Sequence, residues 1–213
     1  MLLSVQDGQY FQGRIYCTLT GKGGLFIEDT NEKRYNIIYA DPPWQYRVYS
    51  KKGAGRSAES HYPTMQIEEI RALPVERIAA ENCALFLWLT FPNLRESLTV
   101  LDAWGFTYKT IAFVWVKLNK KAPTLFWGMG YWTRANVELC LLATRGRPRR
   151  QCAGVHQVIM APVEQHSKKP DIVREKIVAL MGDLPRVELF ARQATPGWDV
   201  WGNEVESDLS LSP

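Results

Sequence analysis

The 213-residue sequence predicts an α/β domain built on a mostly parallel sheet with helices on both faces. Three observations support this. Apolar runs rich in β-branched and aromatic residues alternate with segments of helical period. The run Ala84-Leu85-Phe86-Leu87-Trp88-Leu89-Thr90 is almost continuously apolar, the pattern of a strand buried on both faces. The run Tyr35-Asn36-Ile37-Ile38-Tyr39-Ala40 stops abruptly at Asp41-Pro42-Pro43-Trp44. Neither proline can continue a central strand, so Asp41 is delivered at a strand's carboxyl end, where open α/β sheets bind ligands.

Length and composition set the outer bounds. A chain of this size holds one α/β domain with small additions, and 46% hydrophobic residues supply its core. A net charge of +4 permits a nucleic-acid partner without requiring one. The four cysteines, Cys17, Cys83, Cys140 and Cys152, form no Cys-x-x-Cys pair. Together with His156 and His166 they do not make a metal site, so none is expected. The longest apolar stretch, Cys83 to Phe91, is too short to span a bilayer. A reducing cytoplasmic location without membrane attachment is the expectation.

Residues 1–34 read as a strand or hairpin extension around Gly21-Lys22-Gly23-Gly24. Residues 35–205 form the main domain, and 206–213 a Ser/Leu-rich tail expected to fray. After the Asp41 strand, Arg47 to Ser60 carries Lys51, Lys52 and Arg56 among glycines and serines. This stretch suits either a solvated loop or a lid that touches phosphates. Gln66 to Leu73 predicts a short helix and Pro92 to Trp104 a longer one, with Pro92 suited to a first turn and Gly105 to a stop. Strands are expected over 107–117, 136–144, 157–161, 186–190 and 198–201, and a helix over 170–182 that opens at Pro170. Residues 118–134 predict a loop in which Lys120, Lys121 and Arg134 interleave with Phe126, Trp127, Tyr131 and Trp132. Such a mixture suits either stacking of bases or a hydrophobic flap. Arg145-Gly146-Arg147-Pro148-Arg149-Arg150 is the densest basic run, a solvated turn or a phosphate contact.

The Asp-Pro-Pro-Trp stretch resembles the catalytic motif of the amino-methyltransferases, in the form found in the MT-A family of adenine N6-methyltransferases. Tyr62-Pro63-Thr64-Met65, Val114-Trp115-Val116-Lys117, Gly130-Tyr131-Trp132 with Glu138-Leu139-Cys140, His166 to Pro170, Glu188-Leu189-Phe190-Ala191-Arg192 and Gly202-Asn203-Glu204 are similar to later stretches of that family, in order. The resemblance covers roughly residues 35–204. It implies a Rossmann-like methyltransferase sheet with one antiparallel strand and a permuted order, the catalytic motif preceding the cofactor strand. It implies S-adenosylmethionine as cofactor, with Asp41, Lys169, Arg192, Asn203 and Glu204 around it, Lys169 neutralising the methionine carboxylate. Two departures stand out. Ala191-Arg192-Gln193-Ala194 replaces the usual Gly-rich turn, and Glu204 stands where Gln is common. Asp29 is the candidate for the family's upstream acidic residue.

The electronics of the reaction assign further roles. An exocyclic adenine amine is a poor nucleophile because its lone pair is delocalised into the ring. Asp41 and the Pro42 carbonyl, on the rigid Pro42-Pro43 turn, are expected to accept its two N–H bonds and stabilise the developing charge. Trp44, with Tyr46 or Tyr62, is expected to stack the base. Lys117, Arg147, Arg149 and Arg150 are expected on the substrate side, and a duplex substrate would have its target flipped out. The resemblance favours a bacterial or phage enzyme acting on DNA in the cytoplasm, as monomer or homodimer. The alternatives are an RNA adenosine methyltransferase and a non-catalytic nucleic-acid-binding subunit.

Overall fold

The computed structural model describes residues 17–19, 25–27, 33–45, 64–128, 130, 132–165 and 167–211. Two compact units are present, Met1–Lys33 and Arg34–Pro213. In the first, β1 (Cys17–Leu19) pairs antiparallel with β2 (Leu25–Ile27).

The second unit is built on an eight-stranded sheet. Its strands are β3 (Tyr35–Ala40), β4 (Ala79–Leu89), β5 (Thr107–Asn119), β6 (Ala122–Leu125), β7 (Val137–Arg145), β8 (Val158–Pro162), β9 (Arg186–Leu189) and β10 (Asp199–Trp201). The order is β10-β9-β3-β4-β7-β5-β6, with β8 also on β5. Strands β10, β9, β3 and β4 run parallel, and β7 lies antiparallel to both β4 and β5. Strand β8 is parallel to β5, and β6 folds back antiparallel on β5 at the sheet's edge. The expected Rossmann-like sheet with an antiparallel strand is present. Strand β3, which ends at Asp41, precedes β9 in the chain and pairs beside it in the sheet.

The period of two along each strand sends alternate residues to opposite faces. Ile38, Ala40, Leu85, Leu87 and Leu89 face one layer, made by α1 (Ile67–Ala72), α2 (Val75–Ile78) and α3 (Leu94–Ala103). Ile37, Tyr39, Ala84, Phe86 and Trp88 face the other, where α4 (Ile172–Met181) contributes Val173, Ile177 and Met181. Two buried indoles are matched: Trp104 Nε1 donates to the Ile70 carbonyl (2.9 Å), and Trp88 Nε1 to Tyr39 Oη (2.7 Å).

Three local expectations are corrected. Strand β4 begins at Ala79, before the apolar run, because its polar Glu81 and Asn82 lie at the exposed end. The expected loop 118–134 contains β6, an exposed edge strand whose Pro123 hides its character. The tail does not fray through Leu211. Asp208 N donates to the Val200 carbonyl, its carboxylate accepts from Val200 N, and Leu211 is buried.

Candidate active site

Asp41 follows Ala40, which registers with Leu87 on one side and Leu189 on the other. Its carboxylate therefore sits at the carboxyl edge of four parallel strands. The Pro-Pro turn is fixed from both sides: the Pro42 carbonyl accepts from Trp44 N (2.8 Å), and the Pro43 carbonyl from Met65 N (2.9 Å). One lone pair of the Pro42 carbonyl is thus engaged, leaving the second for another donor. The expectation that Trp44 stacks a base is corrected. Its ring is 5% exposed within the core, and its indole N–H donates to the Trp88 carbonyl (2.9 Å). Trp44 anchors the turn that holds Asp41.

Lys169 approaches from the segment before α4. Its ammonium donates to Asp41 Oδ2 (2.7 Å) and the Ser167 carbonyl (3.2 Å), and lies 3.4 Å from Glu138 Oε2. Ser167 adopts a left-handed φ of 62°, a conformation uncommon for a residue with a Cβ. Lys169, expected to meet a ligand carboxylate, thus meets two carboxylates of the protein. Lys117, at the end of β5, ion-pairs with Glu138 Oε1 (2.5 Å). The result is an alternating row, Asp41–Lys169–Glu138–Lys117, that steps across strands β3, β7 and β5.

Glu138 was missed as a site residue in the sequence. The available signal was an acid inside an otherwise apolar strand, Val137–Arg145. Its carboxyl is pushed up by burial, but Lys169 and Lys117 outweigh this and hold it below the usual carboxylate range. Asp41 goes the other way. Burial raises its carboxyl, and Lys169 opposes the rise without cancelling it. A second buried ion pair lies below the edge, where Arg174 grips Glu188 through two bonds of 2.6 and 2.7 Å.

Arg192, Asn203 and Glu204, expected on the cofactor side, lie where β9 and β10 end. Arg192 Nε donates to Glu204 Oε1 (2.9 Å), and Asn203 is exposed beside Glu204. Phe190 turns the chain at φ 61° and packs edge-on against Trp201 at 5.2 Å. A Cβ on Gly202 would lie 2.2 Å from the Ala191 carbonyl oxygen, so the two strand ends approach backbone to backbone. The departure from a Gly-rich turn is therefore met by a glycine on the neighbouring strand. An open concavity lined by Gln193, Ala194, Glu204 and Asp208 adjoins this corner. The donor set suits S-adenosylmethionine: an ammonium for its carboxylate, polar side chains for its hydroxyls, and an acid near its methyl. A ligand carboxylate at Lys169 would compete with Glu138, whose oxygen lies farther from the ammonium than that of Asp41 or Ser167.

The basic run is corrected. Because β7 is antiparallel to β4, Glu138 begins it at the Asp41 edge and Arg145 ends it at the opposite edge. There Arg145 Nη1 donates to the Glu76 carbonyl, Arg147 N donates to Asn82 Oδ1, and Arg147, Arg149 and Arg150 are exposed. These arginines do not surround the mouth of the site. Tyr46, Tyr62, Asp29, His166, Lys51, Lys52 and Arg56 lie outside the described residues. Among the described residues, no cluster of His, Cys, Asp and Glu could hold a metal ion, and no helix is long and apolar enough to cross a membrane.

A permuted Rossmann-like sheet, with an acid on a Pro-Pro turn at its carboxyl edge and a lysine on that acid, defines a methyltransferase architecture. The MT-A70 family model matches residues 35–204, and the chain belongs to that family. The chain is 36% identical over 190 residues to the type II methyltransferase M.MunI of a Mycoplasma species, covering 81% of this chain and 78% of that protein. It is 28% identical over 184 residues to the N(6)-adenosine-methyltransferase catalytic subunit METTL3 of Homo sapiens, covering 84% of this chain but 30% of that protein. The MT-A70-like N(6)-adenosine-methyltransferase of Drosophila melanogaster is 29% identical over 192 residues, and the match takes in 30% of its length.

Proposed function

We propose that the chain transfers a methyl group from S-adenosylmethionine to the exocyclic N6 amine of adenine in DNA. The observation that carries this is the Asp41 carboxylate, partly exposed at the strand end and fixed by the Pro42-Pro43 turn. S-adenosylmethionine, when bound, supplies an electrophilic methyl. The protein's task is to make a weak nucleophile attack it. Asp41 and the remaining lone pair of the Pro42 carbonyl accept the two N–H bonds of the amine. That directs nitrogen lone-pair density out of the ring plane and stabilises the positive charge that develops on attack. Lys169 holds Asp41 in place, and its charge favours the ionised, accepting carboxylate. Lys169, Arg192, Asn203 and Glu204 are the residues that would hold the methyl donor.

DNA is favoured because the bacterial and phage branch that the motifs resemble acts mostly on DNA, and because M.MunI is matched over most of its own length. The second reading, an RNA adenosine, is supported by the N(6)-adenosine-methyltransferase relatives. Incubation with isotopically labelled methyl donor and DNA or RNA, followed by nucleoside mass spectrometry, tests both. Labelled N6-methyldeoxyadenosine is the expected product. Label confined to ribonucleosides would replace the first reading with the second, and label in neither would end both.

A further inference from the structure

The segment between β5 and β7 is not used by the chemistry above, yet it springs from the site. Both ends of its outer half are tied to one residue. Phe126 N donates to the Lys117 carbonyl (2.9 Å), and Lys117 N donates to the Asn136 carbonyl (2.8 Å). Phe126 and Asn136 thus meet at the lysine that pairs with Glu138, which closes the segment between them at its root. The β5–β6 turn at Lys120 and Lys121 stands beside it. Because β5 runs parallel to β4, both leave the sheet at the Asp41 edge.

The loop is narrow and shaped by its glycines. A Cβ on Gly128 would lie 2.1 Å from the Ala135 carbonyl oxygen, and one on Gly130 would lie 2.1 Å from that of Thr133. The two limbs therefore touch backbone to backbone, leaving no room for larger residues at either position. From this neck two tryptophans face outward, Trp127 at 77% exposure and Trp132 at 91%. Trp132 holds a left-handed φ of 72°, an unfavourable conformation for an aromatic residue. A stable surface normally buries such side chains, and here the backbone is arranged to present them. The exposed charges on the segment itself have one sign. Between Lys117 and Asn136 the sequence contains no acid, while Lys120, Lys121 and Arg134 are cationic. Lys120, Lys121 and Arg134 are exposed.

We infer that the described residues rooted on Lys117 form a preorganised tongue that stacks Trp127 and Trp132 on bases flanking the target adenine of an unpaired DNA strand. Lys120, Lys121 and Arg134 meet that strand's phosphates. Flat aromatic faces tolerate every base, and interleaved cations track a polyanionic backbone, which together make a sequence-tolerant grip on single strands. The tight neck fixes the rings before binding, so little ordering is lost on contact. An apolar protein partner would not call for the three exposed cations Lys120, Lys121 and Arg134. The inference rests on the nucleic-acid reading above, but it concerns binding and can be read without turnover.

The test uses the full chain and a labelled 12-nucleotide single-stranded DNA of mixed sequence with one adenine. Trp127→Ala and Trp132→Ala should each weaken binding about tenfold at constant salt, leaving the salt slope unchanged. Trp127→Phe and Trp132→Phe should restore binding to within about threefold, because a ring remains. Lys120→Glu with Lys121→Glu should lower the salt slope by about two units instead. Calorimetric affinity for S-adenosylmethionine should not move in any of these variants. The wild-type protein should also lose tryptophan fluorescence on binding the oligonucleotide, and lose less of it in the Phe variants. Unchanged DNA affinity in both Ala variants overturns the inference. So does a concentration-dependent dimer in sedimentation that dissociates in the Ala variants while DNA affinity holds, since the tongue would then be a contact between copies. If the wild type binds DNA through the tongue but labels no adenine, the tongue stands and the proposed reaction falls.

Discussion

The two ends of β7 carry charge in opposite ways. Near its start, Glu138 is largely shielded between Lys169 and Lys117 and linked through Lys169 to Asp41. Seven residues later, about 23 Å along the strand, Arg145 starts a basic run that hydrogen-bonds backbone and faces water. The first end has few charges, each desolvated and matched to its neighbour. The second has many, each solvated. Desolvated pairs shift titration and bind tightly to particular partners, whereas solvated cations act diffusely and are screened by salt. Charge density in the sequence therefore points to the wrong end of this strand, and burial points to the right one.

Substitutions at the two ends should separate them sharply. The largest effect is expected for Asp41→Ala. Methyl transfer should fall at least about a hundredfold, because an acceptor poised for the transition state is removed. The melting temperature should stay within about 5 °C, since burial already disfavours that carboxylate. A scan showing collapse of the fold would assign Asp41 a structural role instead.

Glu138→Ala should come next. It leaves Lys169 and Lys117 without their shared partner, and breaking such a buried pair costs about 3 kcal/mol. Urea unfolding should show this as a lower midpoint at constant slope. Unchanged stability would mean that the row across the strands is not a mutual network.

Lys169→Met sharpens the comparison through pH. Asp41 acts as an acceptor only when ionised. Activity should thus fall as pH drops through its pKa, which burial places above the ordinary carboxylate range. Lys169 is the strongest opposing influence on that rise. Its removal should move the acidic limb of the pH–rate profile upward. An unmoved limb would detach Lys169 from Asp41. The same variant should also weaken S-adenosylmethionine binding in calorimetry.

The smallest effect belongs to the far end. Reversing charge at Arg147, Arg149 and Arg150 together should alter methyl transfer at moderate salt by less than about twofold, because exposed charges more than a Debye length away are largely screened. A large loss would mean that substrate extends around the sheet to its opposite edge.

Much of the fold was legible because strands buried on both faces read as continuous apolar runs. Ala84 to Leu89 and Ile37 to Ala40 needed no tertiary information. Strand β6 was hidden because Ala122-Pro123-Thr124-Leu125 is exposed and carries a proline, and nothing apolar marks an edge strand that faces water. Asp41 was legible because two prolines end its strand. Glu138 was not, because one acid in an apolar strand is equally consistent with an outward-facing residue until its partners are known. Trp44 shows the reverse problem, since an aromatic ring beside a strand-end acid carries no mark of whether it faces a ligand or the core. The misplacement of the basic run came from strand direction. An antiparallel strand in mid-sheet necessarily sends its carboxyl end away from the edge where its parallel neighbours finish.

The permuted strand order also shapes how the chain is made. Strand β3 is seated between β4 and β9, and its register pairs Ile37 with Ala84 on one side and Arg186 on the other. The first partner is translated soon after β3, the second about 150 residues later. At ordinary rates of synthesis the edge of β3 that will meet β9 waits on the order of 10 s or more, apolar and with its peptide groups unpaired. That interval is an aggregation hazard, since an open strand edge recruits other strands. Ribosome-bound chains halted before Arg186 should therefore depend on chaperones and be sensitive to protease, and chains released after Trp201 should not. The feature that sets Asp41 beside β9 thus also makes completion of that edge one of the last events in the life of the nascent chain.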